Sequence, residues 1–374
     1  MGHDVFRPRT ATREEKRQAN EALGRSFCKT IAEPVTNSDT SAKKKFGLTD
    51  PNGNLLSSGL VELMFNVAKG TQVDTAELRA KLLGAQPKRR IVIEVVTAKA
   101  SGRPVGEVVI IDQAEGMSAD ELKRALEDPA GDRADLARGM IGRNLFGRGL
   151  SDVMRAYASE DVHHSLQPVV QTFDGRQLTS ARGEWTAEGW SIDRTWHDAP
   201  GTSHFENTFL QPSTSGTAVR FVIADRKRCH IPDPPDIGYR LANFYMLRLI
   251  ASDPNVELVL RQHRGAGLIE DRVQYDFPVG QVIEVFSRGF DPSKVDPALA
   301  SLKVDFLVVR SDSERGLRGP SLDRDSRENG MLIVDDLDAV YDLTFADPER
   351  DYEKADFLSC IYGIVRVNGL RRVL

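Results

Sequence analysis

The chain has 374 residues, 40% hydrophobic and 28% charged, and Lys+Arg 50 against Asp+Glu 55 leaves a formal charge of -5. That length supplies apolar material for two domains with cores of their own and excludes a single small one, while the mild acidity excludes a chain-wide basic field for nucleic acid. Cys28, Cys229 and Cys360 form no CxxC or Cys/His pattern, the N-terminus is polar, and no apolar run approaches the roughly 18 residues of a membrane span; a cytoplasmic protein without disulfide framework, structural zinc or membrane segment is expected.

Residues 1–12 (MGHDVFRPRTAT) read as a loose arm. From Arg13 the pattern turns helical, with Leu23, Phe27 and Ile31 on one face and Thr12 placed as a cap. Pro34 disturbs this helix, because proline lacks an N–H and biases its predecessor away from helical angles. Either the helix kinks, or a new one starts with Glu33 as cap and Pro34 in its first turn. In both cases Glu33 and Asn37 lie one turn apart on a shared face. Asp50-Pro51-Asn52-Gly53-Asn54 signals a turn, and residues 55–83 read as a mostly polar, partly helical insertion.

The β-branched runs 91–96 (IVIEVV) and 107–111 (EVVII) predict neighbouring antiparallel strands, the second ending just before Asp112. Ser118-Ala119-Asp120-Glu121 has the capping-box form and opens a helix through Leu126. Residues 131–150, rich in Gly and Arg, read as a mobile segment with Leu145, Phe146 and Leu150 as docking points, followed by a short helix over 151–158. Strands and turns fill 169–223, with Trp185, Trp190 and Trp196 packing on the sheet. The basic, proline-rich stretch 226–235 (RKRCHIPDPP) reads as a linker. Beyond it a helical stretch over 239–250 and strands at 256–261, 281–287, 303–309 and 331–334 predict a second α+β unit. Residues 361–374 read as mid-domain, so a further C-terminal region is expected.

Four sets of residues carry chemistry. Glu33 and Asn37 place a carboxylate that can polarise water beside an amide oxygen that can reach a metal. Asp112 leaves a strand and is followed by Gly116 and Met117; residues 142–149 (GRNLFGRG) offer glycine amides before a helix start, an anion site that needs no lysine. Gly216 and Thr217 precede a strand. No G-x-x-x-x-G-K-[ST] sequence occurs, which excludes an ordinary P-loop.

In this order the residues resemble the GHKL ATPase superfamily of gyrase, the ninety-kilodalton heat-shock chaperones, histidine kinases and MutL. The resemblance covers residues 13–225 and is nearest in character to MORC-like and heat-shock-chaperone-like members. It implies an α/β architecture of the α+β two-layer kind: a Bergerat ATP-binding fold over residues 1–226 with a lid at 131–150, then a smaller transducer-like domain over 227–374. By resemblance Glu33 is the general base and Asn37 both contacts nucleotide and ligates Mg2+. Asp112 accepts from the adenine amino group, Gly116 and Met117 line the base, and Thr217 lies beneath the adenine. Gly142, Phe146, Gly147, Arg148 and Gly149 form the lid, with Arg143 as an added charge. Arg324 and Arg327 are the guesses for a basic residue at the γ-phosphate. Two departures stand out: Ala114 replaces the first glycine of the second motif, and Asp39 follows Asn37 by two residues where the pattern has three.

The implied activity is ATP binding and hydrolysis with ATP and Mg2+ as cofactors. Lid closure and nucleotide-dependent homodimerisation would drive a clamp in bacterial defence or chromosome handling, with DNA or a partner protein met through a further C-terminal region and no membrane partner. Ala114 and Asp39 motivate the alternative of a nucleotide-binding interaction module, a scaffold or sensor with weak or no hydrolysis. A histidine kinase ranks below both, because His3 is the only histidine upstream of the motifs, and His163-His164 reads as a polar loop pair.

Overall fold

Runs of Val and Ile build two sheets, and the fold is α+β. The computed structural model describes residues 1–7, 17, 19–20, 23, 26–51, 54–100, 102–127, 149–158, 166–186, 189–198, 210, 215–224, 229–289, 296–314, 316–317, 327–344 and 359–370. The first strands are β1 (Gly2–Phe6), β2 (Gln72–Val73), β3 (Arg89–Val96), β4 (Glu107–Asp112), β5 (Val169–Phe173), β6 (Gln177–Thr186), β7 (Gly189–Asp198) and β8 (Gly216–Val222). They are followed by β9 (Val256–Arg264), β10 (Gly267–Arg272), β11 (Gly280–Gly289), β12 (Lys303–Ser311), β13 (Gly330–Asp335), β14 (Val340–Thr344) and β15 (Ile361–Asn368). Helices are α1 (Phe27–Lys45), α2 (Leu60–Phe65), α3 (Thr75–Leu82), α4 (Ala119–Glu127), α5 (Gly149–Ala156), α6 (Pro234–Asn243) and α7 (Arg248–Ser252). Among the described residues no helix is long and apolar enough to cross a membrane.

Contacts group the chain into two compact units, each discontinuous in sequence. Unit 1 is Met1–Leu55, Arg89–Tyr239 and Glu257–Val273; unit 2 is Leu56–Lys88, Arg240–Val256 and Gln274–Leu374. A single division between residues 226 and 227 therefore does not describe them. The hairpin β9–β10 returns to the first sheet beside β3, and residues 56–88 supply β2 to the second.

Unit 1 carries a nine-stranded sheet in the order β1-β7-β6-β5-β8-β4-β3-β9-β10. Next to the central β8 lies β4, buried along its whole length and antiparallel to both β3 and β8. Helix α1 packs on β3 and β4 and is one element, with Pro34 inside it and Ser26 as its cap: the Ser26 hydroxyl accepts from the Lys29 amide at 3.3 Å. Glu33 is thus mid-helix and not a cap. The apolar face of Phe27, Ile31 and Val35 is buried and outweighs the hydrogen bond that proline forfeits, a loss of about 3 kcal/mol in an isolated helix. A fully shielded ion cluster fastens the helix to β3, since Asp39 lies 3.4 Å from Arg89 and 4.0 Å from Lys43. Removing one partner of such a buried set costs about 3–5 kcal/mol.

The N-terminal residues are not a loose arm. Residues 2–6 pair with β7 as an edge strand, because Phe6 buries its ring and Asp4 receives Arg194 through two bonds of 2.8 Å. Arg194 also donates to the Ala119 carbonyl, joining β7 to the start of α4. The capping box there is reciprocal as expected: the Ser118 amide donates to Glu121 at 2.8 Å and the Glu121 amide to Ser118 at 3.3 Å.

Unit 2 carries a six-stranded sheet in the order β14-β13-β15-β12-β11-β2. Asp305 on β12 receives Arg366 and Asn368 of β15 at 2.9 to 3.2 Å, and the Arg366 guanidinium lies 4.5 Å from the Phe65 ring of α2. Asp338 adopts a positive φ of 61° in the β13–β14 turn, where its carboxylate accepts both the amide and the hydroxyl of Ser58.

Candidate functional site

The site is built on α1, whose consecutive residues face two different groups. Toward one side, Glu33 and Asn37 meet the first residue of α5. A β-carbon added to Gly149 would lie 2.8 Å from Glu33 Oε2 and 3.3 Å from Asn37 Nδ2. Glycine lets the start of α5 come this close without displacing the Glu33 carboxylate. Glu33 is half-buried, and burial pushes its carboxyl above the ordinary range; Lys29 opposes that shift and the Asp152 carboxylate of α5 adds to it. A carboxyl so placed holds or takes a proton nearer neutrality than a solvated one.

Toward the other side, Ser38 donates its hydroxyl to Asp112 Oδ2 at 2.7 Å. Asp112 Oδ1 accepts the Ala114 amide at 3.0 Å and the Thr217 amide at 2.9 Å. Burial pushes the Asp112 carboxyl up, while Ser38, the two amides and Lys45 draw it down. With three acceptances in place, the carboxylate keeps acceptor capacity for one more donor.

The loop after Asp112 is fixed at several points. Lys45 donates to the Gln113 carbonyl at 2.7 Å, and Ser215 to the Ala114 carbonyl at 2.5 Å. Ala114 is buried and has negative φ, for Asp338 is the sole non-glycine with positive φ among the described residues. An L-residue is therefore tolerated at the position where the motif has glycine. Gly116 does need glycine: its φ is 72°, and a methyl group there would overlap the Phe173 carbonyl. Thr172 of β5 accepts the Met117 amide at 2.7 Å and lies 3.1 Å from the Thr217 hydroxyl.

No protein-family model matches the chain, and a search of the curated proteins returns no match.

The structure thus brings together Glu33, Asn37 and Gly149 as one group, and Asp112, Met117 and Thr217 as another with Gly116 in the turn between, the two sharing α1. Gly142, Arg143, Phe146, Gly147 and Arg148 lie outside the described residues, as do Thr12, His163, His164 and Arg324. Arg327 belongs to unit 2, where its carbonyl accepts from Arg248. Asp39 takes no part in the site, being committed to Arg89 and Lys43.

Sequence reasoning missed Ser38, Lys45, Asp152, Thr172 and Ser215. Ser38 had one signal, its position directly after Asn37; the others become visible only through strand register and helix packing. Among the described residues no group of three or more His, Cys, Asp or Glu could hold a metal. A cation here would draw its ligands chiefly from a phosphate-bearing ligand and water, with the Asn37 amide oxygen added, a manner of binding that suits Mg2+.

Proposed function

We propose that unit 1 binds ATP with Mg2+ and hydrolyses it, as a GHKL-type ATPase with a Bergerat-like site. The observation that carries this reading is that α1 presents Glu33 and Asn37 to Gly149 and, one residue later, Ser38 to Asp112. Glu33 on α1, as proton acceptor, and Asp112 at the end of β4, bonded to Ser38 of the same helix, as base-recognising carboxylate, suit this reading.

Asp112 accepts from the exocyclic amine of adenine, with Thr217 beside it. The amides at the start of α5 face the phosphates. Bound Mg2+ supplies neutralisation of charge on the phosphoryl oxygens. Glu33 orients the attacking water and takes its proton, a role suited to a carboxyl whose basicity burial has raised. Clamp closure through a lid and a nucleotide-dependent homodimer, with DNA or a partner protein as target, is the wider activity proposed for this site, in the cytoplasm.

Titration with Mg2+ and a non-hydrolysable ATP analogue, alongside phosphate release, tests the reading. Glu33→Ala is expected to bind the analogue within about threefold of the wild type while turnover falls by at least about a hundredfold, the scale of a lost general base. Undiminished turnover in Glu33→Ala refutes the assignment. Binding without turnover in the wild type would leave the nucleotide-binding module in its place.

A further inference from the structure

Three threonine hydroxyls stand in a row beneath the proposed base site. Thr172 on β5 is directly opposite Thr217 on β8 and, on its other side, directly opposite Thr179 on β6, so all three project from the same face of the sheet. Thr172 and Thr179 are fully buried, whereas Thr217 is half-buried. Thr217 is also tied to Asp112, whose Oδ1 accepts its amide at 2.9 Å.

The hydrogen bonds of Thr172 can be counted completely. Its oxygen accepts the Met117 amide at 2.7 Å. Its single proton has two acceptors in reach, the Thr217 hydroxyl at 3.1 Å and the Gly216 carbonyl at 3.3 Å. Thr179 offers no third, since its hydroxyl has no hydrogen-bond partner. Thr217 is the nearer of the two acceptors, and either hydroxyl of that pair can be the donor. A hydroxyl has one proton and two lone pairs, so Thr217, once it accepts from Thr172, keeps its own proton to give away.

We propose that Thr172 is a positioning residue for base selection: anchored by the Met117 amide, it turns Thr217 into a hydrogen-bond donor beside the acceptor Asp112. The pair then presents acceptor and donor side by side. Adenine offers the complement, an amine donor at N6 and an acceptor at N1. Guanine offers the reverse, an acceptor at O6 and a donor at N1, and meets both protein groups with the wrong polarity. Thr172 touches no ligand and sets the polarity through Thr217, while its bond to the Met117 amide holds it in place. The proposal rests on the ATP-binding reading of this site and adds to it the residue that sets the polarity.

The test uses the full chain, with Mg2+ and non-hydrolysable analogues of ATP, GTP and 1-deaza-ATP, in which N1 is replaced by C–H. Wild-type protein is expected to bind the 1-deaza analogue about tenfold more weakly than the ATP analogue, the worth of one good hydrogen bond. Thr172→Val, which keeps the shape and removes the hydroxyl, is expected to lose about tenfold for the ATP analogue and nothing for GTP or the 1-deaza analogue, by the same bond count. Thr172→Ser should restore the wild-type ratios. An unchanged ATP-to-GTP ratio in Thr172→Val overturns the proposal and leaves the ATP reading standing. Equal binding of ATP and 1-deaza analogues by the wild type overturns it too, without recourse to any variant. Failure of the wild type to bind any of the nucleotides overturns the ATP reading, and the proposal with it.

Discussion

Gly149→Ala puts the proposed chemistry under the most direct strain. The added methyl carbon would lie 2.8 Å from Glu33 Oε2, 3.3 Å from Asn37 Nδ2 and 3.5 Å from Glu33 Cβ. Ordinary contact between such atoms begins near 3.4 Å, so the carboxylate oxygen must retreat by about 0.6 Å while the other two neighbours barely move. The retreating atom is the end of a flexible side chain, and Gly149 opens α5 without a positive φ. Alanine also gains up to about 1 kcal/mol of helix propensity over glycine, so the folded state should change by no more than about that amount. Catalysis should suffer more: a misplacement of about 1 Å costs on the order of a hundredfold, which scales here to about tenfold in kcat. Phosphate release at saturating ATP, analogue affinity and a urea melt on the same samples give the three readouts. The expected result is a tenfold fall in kcat with binding and melt nearly unchanged. An unchanged kcat, or a loss confined to KM, refutes the claim that Gly149 is small in order to leave Glu33 in place.

Two further outcomes follow from the geometry. Because burial and Asp152 raise the Glu33 carboxyl against the pull of Lys29, kcat should fall with acidification at a pH above the ordinary carboxylate range. The same raised pKa means that Glu33 favours folding more as it protonates, so turnover should be lost on the acid side without any loss of stability from this group; a pH–rate profile paired with melts at each pH checks both signs. Gly116→Ala should destabilise by at least about 2 kcal/mol, since it combines positive φ with overlap on a backbone carbonyl, and a denaturant midpoint equal to wild type would contradict the turn described.

The central strands and α1 were legible because their signals are local. The runs 91–96 and 107–111 are β-branched but for Glu94 and Glu107, and Phe27 and Ile31 mark the buried face of α1, although the helix read from Arg13 is interrupted at Ser26. Pro34 misled because its penalty is also local, whereas the packing and the Asp39 cluster that overcome it are not. The displacement of Asp39 from the motif position has a physical reading of its own, since from there its carboxylate meets Arg89. Strand β1 was illegible for a similar reason: GHDVF has weak strand character, and its partner lies far along the chain at residues 192–196. Ser38 and Thr172 are ordinary hydroxyl residues until the fold sets them opposite Asp112 and Thr217. The strand at 256–261 reads as part of the second unit, yet β9 lies beside β3 in the first sheet, because adjacency in sequence is a poor guide where a chain leaves a unit and comes back.

That return has a practical edge. A fragment cut after residue 226, where the linker-like composition invites a protease or a cloning boundary, would lack two of the nine strands of the sheet. Its β3 would be left with bare amides and carbonyls along a strand whose Val92, Val95 and Val96 are buried in the intact chain. Unpaired apolar borders of this kind recruit other chains, so such a fragment would be prone to aggregate, and the proposed activity has to be assayed on the full chain.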